Sequence, residues 1–451
     1  MRVLLYWKQS TIEEKILWLY IMLIPFSEAV SFYFGVKRFG ITDFVFVALL
    51  IAFIIKCLKG ATRFHRTAME PKLLLMLVLF SFSLLNSTNV VDSLSELSGL
   101  LYLIALFMII PSIISTPEGL LNSLKVFLYS AAAISLLGLF YLFKAFTTGN
   151  ISNTPFLNYS TIESMAHHFP RIRFMFESPN MLLAYLHAAL IAGLIIFLSE
   201  KKKKAKIYAF FACCAILTAA FLTGSRRFSG LLLSVFLVLA WFGKSKISSF
   251  LKYAAFLSAV FFIAASIVTS VWVIFPVEMI KDKINKRIIL KADYSYSLHF
   301  IQPVASVNMF KKHPFIGVGM GSYNANFKSN VDWKWLRSSF GFDAYPEYIA
   351  PVEKETLRFD PHSVFLGTLA ETGICGFFGL VNFFMGYALF LILRFKRAVK
   401  TKNLYNPVLG CILAGFVGFL LNGLTLDILS MRYFWLMLSF GVAASLQQEN
   451  T

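Results

Sequence analysis

Runs of apolar residues long enough to cross a lipid bilayer recur along this 451-residue chain. A hydrocarbon core about 30 Å thick needs roughly 20 predominantly apolar residues in a helix. Hydrophobic residues make up 58% of the sequence and charged residues 14%, so the chain has too little polar surface for a soluble globule. We therefore predict an all-α polytopic membrane protein with about twelve transmembrane helices.

The apolar runs define the predicted spans and divide the chain into three parts. The spans are predicted at residues 15–34, 40–57, 72–87, 96–114, 120–146, 181–199, 207–223, 228–242, 253–275, 362–393, 404–424 and 430–447. Helices 1–9 with short loops occupy residues 1–275, a large external loop occupies residues 276–361, and helices 10–12 occupy residues 362–451.

Basic residues between the predicted spans indicate the orientation of the chain. Their main clusters fall on one side of the membrane, at Lys56, Lys59, Arg63, Arg66, Lys201, Lys202, Lys203, Lys204, Lys206, Lys244, Lys246, Arg394, Lys396, Arg397, Lys400 and Lys402. Cytoplasmic loops are enriched in Lys and Arg, so this side is predicted to be cytoplasmic, with both chain ends there. The net charge of +19 follows from this topology, and no nucleic-acid partner is required.

A histidine stands where the long external segment meets the tenth predicted span. Asp360 is expected to cap that helix, and Pro361 suits its first position, which places His362 in the first turn. The positive end of the helix dipole disfavours an imidazolium, so a neutral base is expected there. Gly373 and Gly376 share its helix face and would let another helix approach closely. The alternative is an interfacial histidine on an ordinary membrane helix.

Two pairs of arginines stand out in external segments, where the topology does not favour them. Arg171 and Arg173 precede the sixth predicted span, and Arg226 and Arg227 occupy a very short hairpin between the seventh and eighth. Two adjacent cations on this side suit the binding of a phosphate or diphosphate, because guanidinium groups present paired donors. Anchoring of these side chains at the membrane interface is the alternative.

The long external segment contains a predicted helix, a glycine turn and an aromatic cluster. The helix is predicted over residues 294–312, and Pro314, Gly317 and Gly319 after it are typical of a tight turn whose backbone approaches a ligand. The aromatic residues suit a lid on the membrane, a sugar-stacking wall or compact packing within the loop, and they are Trp333, Trp335, Phe340, Phe342, Tyr345 and Tyr348.

The external residues favour one kind of chemistry. Arginines beside a neutral histidine suit a lipid-linked diphosphate, because the cations stabilise the leaving group while the histidine takes a proton from an attacking hydroxyl. Asp427 and Arg432, near the last external turn, form either part of this site or a structural ion pair. No Asp-x-Asp pair, Cys/His ligand cluster or Walker motif is present, so no metal and no cofactor is predicted.

Four short patterns occur in a characteristic order. They are His362, Ser363, Gly373 and Gly376 in His-[Asn/Ser/Gln]-x9-Gly-x-x-Gly; Pro314, Gly317 and Gly319 in Pro-x-x-Gly-x-Gly; Gly224, Ser225 and Arg226 in Gly-Ser-Arg; and Arg171, Phe176, Pro179 and Asn180 in Arg-x-x-Gly-x-Phe-x-x-Pro-Asn, with Phe174 in place of the glycine. In these patterns the chain resembles the O-antigen ligase and polymerase superfamily of bacterial envelope glycosyltransferases, over residues 165–445.

The resemblance implies roles for individual residues. His362 would be the catalytic base and Arg226 would bind the diphosphate, in a metal-free reaction that inverts the sugar. We assign Arg171, Arg173 and Arg227 to the same diphosphate site. The residues expected to support the site are Ser363, Gly373, Gly376, Gly317, Gly319, His299, Asn180 and Arg432. His299 stands where ligases usually carry a loop arginine, and this departure favours the polymerases.

The resemblance also implies partners and a location. The donor would be a glycan linked to undecaprenyl diphosphate, and the acceptor would be lipid A-core for a ligase or a growing lipid-linked glycan for a polymerase. The protein would lie among the lipids of the bacterial inner membrane, with its active site facing the periplasm or exterior. A secondary transporter or polysaccharide exporter is the rival prediction, although no internal repeat is seen and the notable polar groups cluster outside the membrane.

Overall fold

The computed structural model describes residues 10–243, 294–331 and 359–449, apart from residues 28, 35–36, 63, 149–153, 163–166, 402 and 404. The predicted span at residues 253–275 and the aromatic cluster at residues 333–348 lie outside the described residues. The described part of the chain is mostly helical, as the composition predicted. The predicted helix over residues 294–312 is confirmed at Tyr294–Lys312.

The helices follow one another in the order of the apolar runs. In the described residues they are α1 Ile12–Leu23, α2 Ile41–Leu58, α3 Glu70–Ser81, α4 Val90–Ile113, α5 Pro117–Thr148, α6 Pro179–Ser199, α7 Lys203–Leu222, α8 Phe228–Phe242, α9 Tyr294–Lys312, α10 Tyr323–Phe327, α11 Val364–Lys400, α12 Asn406–Gly423 and α13 Arg432–Glu449. Short 3₁₀ helices extend α1 over Ile24–Phe26, α3 over Phe82–Asn86 and α10 over Lys328–Asn330.

Seven of the described helices are long and apolar enough to cross a membrane. They are α2, α4, α5, α6, α7, α11 and α12. This number is smaller than the predicted twelve, partly because α1 and α3 have 12 residues each and α8 has 15. The structure thus agrees with a helical membrane protein, and the total of twelve spans stays a prediction.

Two β-hairpins were not predicted. The first pairs β1, Ser31–Phe34, with β2, Lys37–Gly40, and the second pairs β3, Leu157–Ile162, with β4, His167–Ile172. The predicted first span at residues 15–34 is therefore wrong at its C-terminal end, where the apolar run continues as a strand. Pro25 ends the α-helical part, and the aromatic residues after it favour extended structure.

The centre of the bundle is formed by α6 and α12, with α13 beside them. In the most apolar stretch of α6, 78% of the residues are buried inside the protein, and in α12 the figure is 72%, against 22% in α2. Helix α12 packs along α8, α6 and α11. Helices such as α2 therefore present an apolar outer face that suits lipid, while the central helices fix the loops at their ends.

Helix α11 is broken at Gly373, whose φ of 62° and ψ of −163° are not helical. The expectation that Gly373 admits a second helix is wrong. A Cβ there would lie 2.4 Å from the carbonyl oxygen of Phe315, so this glycine admits the backbone of the Pro314 turn. Gly376 does face a helix as expected, because a Cβ there would lie 3.3 Å from Phe80 of α3.

The turn of residues 314–319 fills the break and satisfies its backbone groups. Ile374 N–H donates to Pro314 O at 2.8 Å, Cys375 N–H to Phe315 O at 3.1 Å, Val318 N–H to Ala370 O at 3.0 Å and Gly319 N–H to Glu371 O at 2.9 Å. Gly317, at φ 69°, lies against Glu371 and Thr372 with no room for a side chain. Two of the predicted glycine patterns therefore form one interlocked junction.

Candidate active site

The helix that carries the histidine begins later than predicted. Ser363, in an extended conformation, is the N-cap, and its Oγ accepts from Leu366 N–H at 3.3 Å. The expected cap at Asp360 is therefore wrong. The physical reason is the backbone of His362, whose φ of 48° is left-handed and cannot belong to a right-handed helix. His362 thus stands immediately before the helix instead of in its first turn.

The loop of residues 424–431, between α12 and α13, contacts both α11, the helix that follows His362, and residues 223–227, the arginine hairpin between α7 and α8. Val364 N–H, at the start of α11, donates to Leu426 O at 3.2 Å. In the same loop, Thr425 accepts two bonds from the Arg227 side chain, one from Nε to Oγ1 at 3.1 Å and one from Nη2 to the main-chain oxygen. This shared loop places the hairpin beside His362, and Arg227 is close enough to influence that histidine electrostatically.

The first residues of the arginine hairpin are hydrogen-bonded to β4 and to the start of α6. Arg171 Nε donates to Thr223 O at 2.7 Å, and Ser225 Oγ donates to Asn180 Oδ1 at 2.7 Å, at the start of α6. Gly224 turns the chain at φ 59°. A continuous set of contacts therefore runs from Arg171 through the hairpin and the 424–431 loop to the start of α11.

The two adjacent arginines of the hairpin differ in their surroundings. The Arg226 side chain is exposed, whereas Arg227 is only 7% exposed. Burial lowers the pKa of Arg227 to about 9, and the like charges of Arg171 and Arg226 act in the same direction. At this pKa Arg227 still carries its positive charge at pH 7.

The surroundings of His362 keep its imidazole neutral near pH 7. The side chain is exposed, so a substrate can reach it, but the surrounding protein removes part of its solvent and lowers its pKa. The positive charge of Arg227 lowers the pKa further, and the negative charge of Asp360 opposes this. A neutral imidazole can accept a proton, so the geometry and the charges both suit a general base.

Two of the predicted site residues, Arg173 and Arg432, are not brought to this group by the contacts described. Arg173 Nε donates to Thr154 O at 2.9 Å. Arg432 pairs with Asp43 at 2.7 Å, so the structural ion pair with Asp427, one of the two alternatives for these residues, is wrong. The Asp427 carboxylate instead accepts from Leu429 N–H within its own loop at 3.1 Å. His299 lies on α9, and its side chain is outside the described residues.

Sequence reasoning missed the polar residues that hold the glycine turn from the α3 side. Asn86 Nδ2 donates to Gly317 O at 2.7 Å, and Met320 N–H donates to Ser83 Oγ at 3.1 Å. From α11, Glu371 Oε1 accepts from Tyr323 N–H at 3.0 Å. The available signal was a group of polar residues at 81–89, directly after an apolar helix.

A comparison with protein families identifies the region that contains most of these residues. The family model described as O-antigen ligase matches residues 211–381. This region of the chain is similar to the O-antigen ligase family. The matched region includes the arginine hairpin, the glycine turn, His362 and the break at Gly373, while Arg171 and the 424–431 loop lie outside it. The resemblance to the O-antigen ligase and polymerase superfamily is thereby confirmed. A search of curated proteins found no match.

Proposed function

We propose that this O-antigen ligase family protein transfers a glycan from an undecaprenyl diphosphate carrier to an acceptor hydroxyl. The family match supports a membrane enzyme of the ligase and polymerase type that uses a lipid-linked glycan donor and a glycan acceptor. In this proposal the protein spans the bacterial inner membrane with both ends in the cytoplasm. The residues from 276 to 361 form the large external loop over a site that faces the periplasm.

The observation that carries the proposal is the contact route from the arginine hairpin to His362. Arg227 donates to Thr425, and the next residue of that loop accepts the first N–H of the histidine helix. The hairpin that carries the exposed cation Arg226 and the helix start that follows the solvent-accessible imidazole of His362 are therefore joined by hydrogen bonds. A diphosphate leaving group needs the cation, and an attacking hydroxyl needs the base.

The proposed reaction is a single displacement at the sugar. The acceptor oxygen attacks the anomeric carbon and forms the new C–O bond, while His362 takes the hydroxyl proton. The bond from the anomeric carbon to the diphosphate oxygen breaks, and undecaprenyl diphosphate leaves with the electron pair. Arg226 and Arg171 stabilise the negative charge that develops on the leaving group. The configuration of the sugar inverts because attack and departure occur on opposite faces.

A polymerase with the same donor is the second candidate. His299 occupies the position at which ligases usually carry an arginine, and this departure favours a polymerase. The two activities differ in the acceptor, which is lipid A-core for a ligase and a growing lipid-linked glycan for a polymerase. The proposed roles of His362 and the arginines are the same in both.

Transfer by the purified protein tests the proposal. The donor is an undecaprenyl diphosphate-linked glycan, EDTA is present, and lipid A-core and a lipid-linked glycan are offered in separate reactions. We expect one joined product and one undecaprenyl diphosphate for each new bond, as measured by mass spectrometry. Use of lipid A-core would identify a ligase, and use of the lipid-linked glycan a polymerase. A folded protein that transfers to neither acceptor would contradict the proposal and favour transport.

A further inference from the structure

The two arginines of the hairpin present their guanidinium groups differently. Arg226 is exposed at the external surface. Arg227 is 7% exposed, and it directs Nε and Nη2 at the two oxygens of Thr425. These two nitrogens form one of the edges with which a guanidinium binds a carboxylate or phosphate through two parallel bonds. In Arg227 this edge is already engaged by the protein.

We propose that Arg227 is a positioning residue, which holds the 424–431 loop against the start of α11 and fixes a positive charge beside His362, while Arg226 contacts the donor diphosphate. This division of roles rests on the proposed function. It replaces the sequence-based assignment of both arginines to the diphosphate.

The loop contacts explain why the position of Arg227 affects the histidine. Leu426, the residue after Thr425, accepts from Val364 N–H, and Ser363 Oγ donates to Gly423 O at 3.4 Å. The segment from Gly423 to Leu426 is therefore hydrogen-bonded at both ends to Ser363 and Val364, the two residues that follow His362. Loss of the Arg227 bonds would loosen the loop from the hairpin and leave the start of α11 less restrained.

The charged groups around His362 come from several elements. Arg227 in the hairpin disfavours the imidazolium, and Asp360 in the same segment favours it. Asp427 in the 424–431 loop acts on Asp360, and Arg171 from β4 and Arg226 act on Arg227. Removal of the Arg227 charge should therefore raise the pKa of His362, and the histidine would remain protonated to a higher pH.

Two measurements that do not depend on catalysis separate the roles. The first is the dissociation constant of undecaprenyl diphosphate for the purified protein. The second is the titration of His362 by NMR of protein with ¹⁵N-labelled histidine, in which the His362→Asn variant assigns the signal among seven histidines. The variants are Arg226→Gln and Arg227→Gln, with Arg66→Gln as a control for loss of an exposed cation away from the site.

We expect Arg226→Gln to weaken undecaprenyl diphosphate binding by about tenfold or more, because a hydrogen bond from a charged donor is lost. It should leave the His362 titration where the parent has it. Arg227→Gln should keep the parent affinity and move the His362 titration to higher pH. Arg66→Gln should change neither quantity.

The opposite pattern would overturn the proposal. If Arg227→Gln weakened binding as much as Arg226→Gln and left the titration unmoved, Arg227 would be a diphosphate ligand. If Arg227→Gln fails to fold, Arg227→Lys decides, because it keeps the charge and loses the paired bonds to Thr425. If Arg227→Lys binds undecaprenyl diphosphate as tightly as the parent and keeps the parent His362 titration but has a lower kcat, the positioning role is supported. A tenfold loss of affinity for undecaprenyl diphosphate in this variant would refute that role. Failure of glycan transfer by the parent would refute the proposed function without altering these two readouts.

Discussion

Three of the described non-glycine residues, Phe174, Met175 and His362, have a left-handed backbone that such residues rarely adopt. His362 has a φ of 48° and Phe174 a φ of 39°. Each such residue costs roughly 1–2 kcal/mol relative to an ordinary conformation. At His362 the conformation stops the helix and sets the imidazole before the Ser363 cap, beside the 424–431 loop. Phe174 occupies the position at which the sequence pattern of the family carries glycine.

Phe174 shows why the glycine of the pattern can be replaced. Its ring is 1% exposed and packs edge-on against Phe26 at 5.9 Å and Phe156 at 5.6 Å. Burial of a phenylalanine ring is worth about 3–5 kcal/mol against alanine, which exceeds the backbone cost. The aromatic contacts therefore offset the strained conformation at this position.

At position 174 we predict that a glycine variant is more stable than an alanine variant, which reverses the usual order. Phe174→Ala should lower the melting temperature in detergent more than Phe174→Gly, because alanine keeps the left-handed strain while glycine relieves about 1 kcal/mol of it. Phe156 is the control, since it packs on the same ring and is not left-handed. There the usual order should hold, with glycine less stable than alanine. The same order at both positions would contradict this explanation.

The candidate site residues could be picked out from the sequence, but their local backbone conformation could not. His362 and Arg226 were identified because a histidine and external arginines are unusual beside membrane spans. Asp360 and Pro361 together favour a helix start, and only the left-handed φ of His362 moves the cap to Ser363. The separate environments of Arg226 and Arg227 depend on Thr425, which is distant in sequence.

At the scale of the elements, the junction between the glycine turn and α11 is the feature that a bilayer constrains most. A helix break within an apolar region leaves backbone groups without partners, and each unsatisfied group there costs several kcal/mol. The turn of residues 314–319 supplies partners on both sides of Gly373. We infer that the turn and the helix fold as one unit.

Substitution of Gly373 tests whether the helix break is filled by the turn of residues 314–319. In Gly373→Ala the added Cβ would lie 2.4 Å from Phe315 O at a left-handed φ, so we expect a loss of stability of about 2 kcal/mol or more. Gly99→Ala in α4 is the control, because nothing lies within 4 Å of its Cβ position. That change should be neutral or slightly stabilising. Equal thermal melting of the two variants in detergent would refute the packing described for Gly373.

The element scale was partly predictable. Long apolar runs gave α2, α5, α6, α8 and α12 within a few residues, because hydropathy reports burial in lipid directly. The first β-hairpin was missed because β1 continues an apolar run and resembles the preceding helix in composition. The second was missed because β3 and β4 lie in a polar external segment without a clear strand pattern. The break at Gly373 was missed because glycine is also common in packed membrane helices.

At the scale of the whole molecule, the central helices bring distant external segments together. Arg227 contacts Thr425 across 198 positions, and Arg432 contacts Asp43 across 389. The Arg432 guanidinium also donates to Ser27 and Tyr102, so the last helix is fixed to the first β-hairpin region and to α4. Such pairings depend on how the helices are arranged in the bundle, which spacing along the sequence does not report.

The central claim is that His362 takes the proton of the acceptor, and one substitution tests it most directly. His362→Asn removes the base but keeps a side chain that tolerates a left-handed backbone, so the fold should be retained. His65→Asn, at an exposed position in the predicted cytoplasmic region, is the control. We predict that kcat for glycan transfer falls by about 10²-fold or more in His362→Asn, at an unchanged melting temperature, and stays at the parent value in His65→Asn. A folded His362→Asn variant that transfers glycan at close to the parent rate would contradict the account.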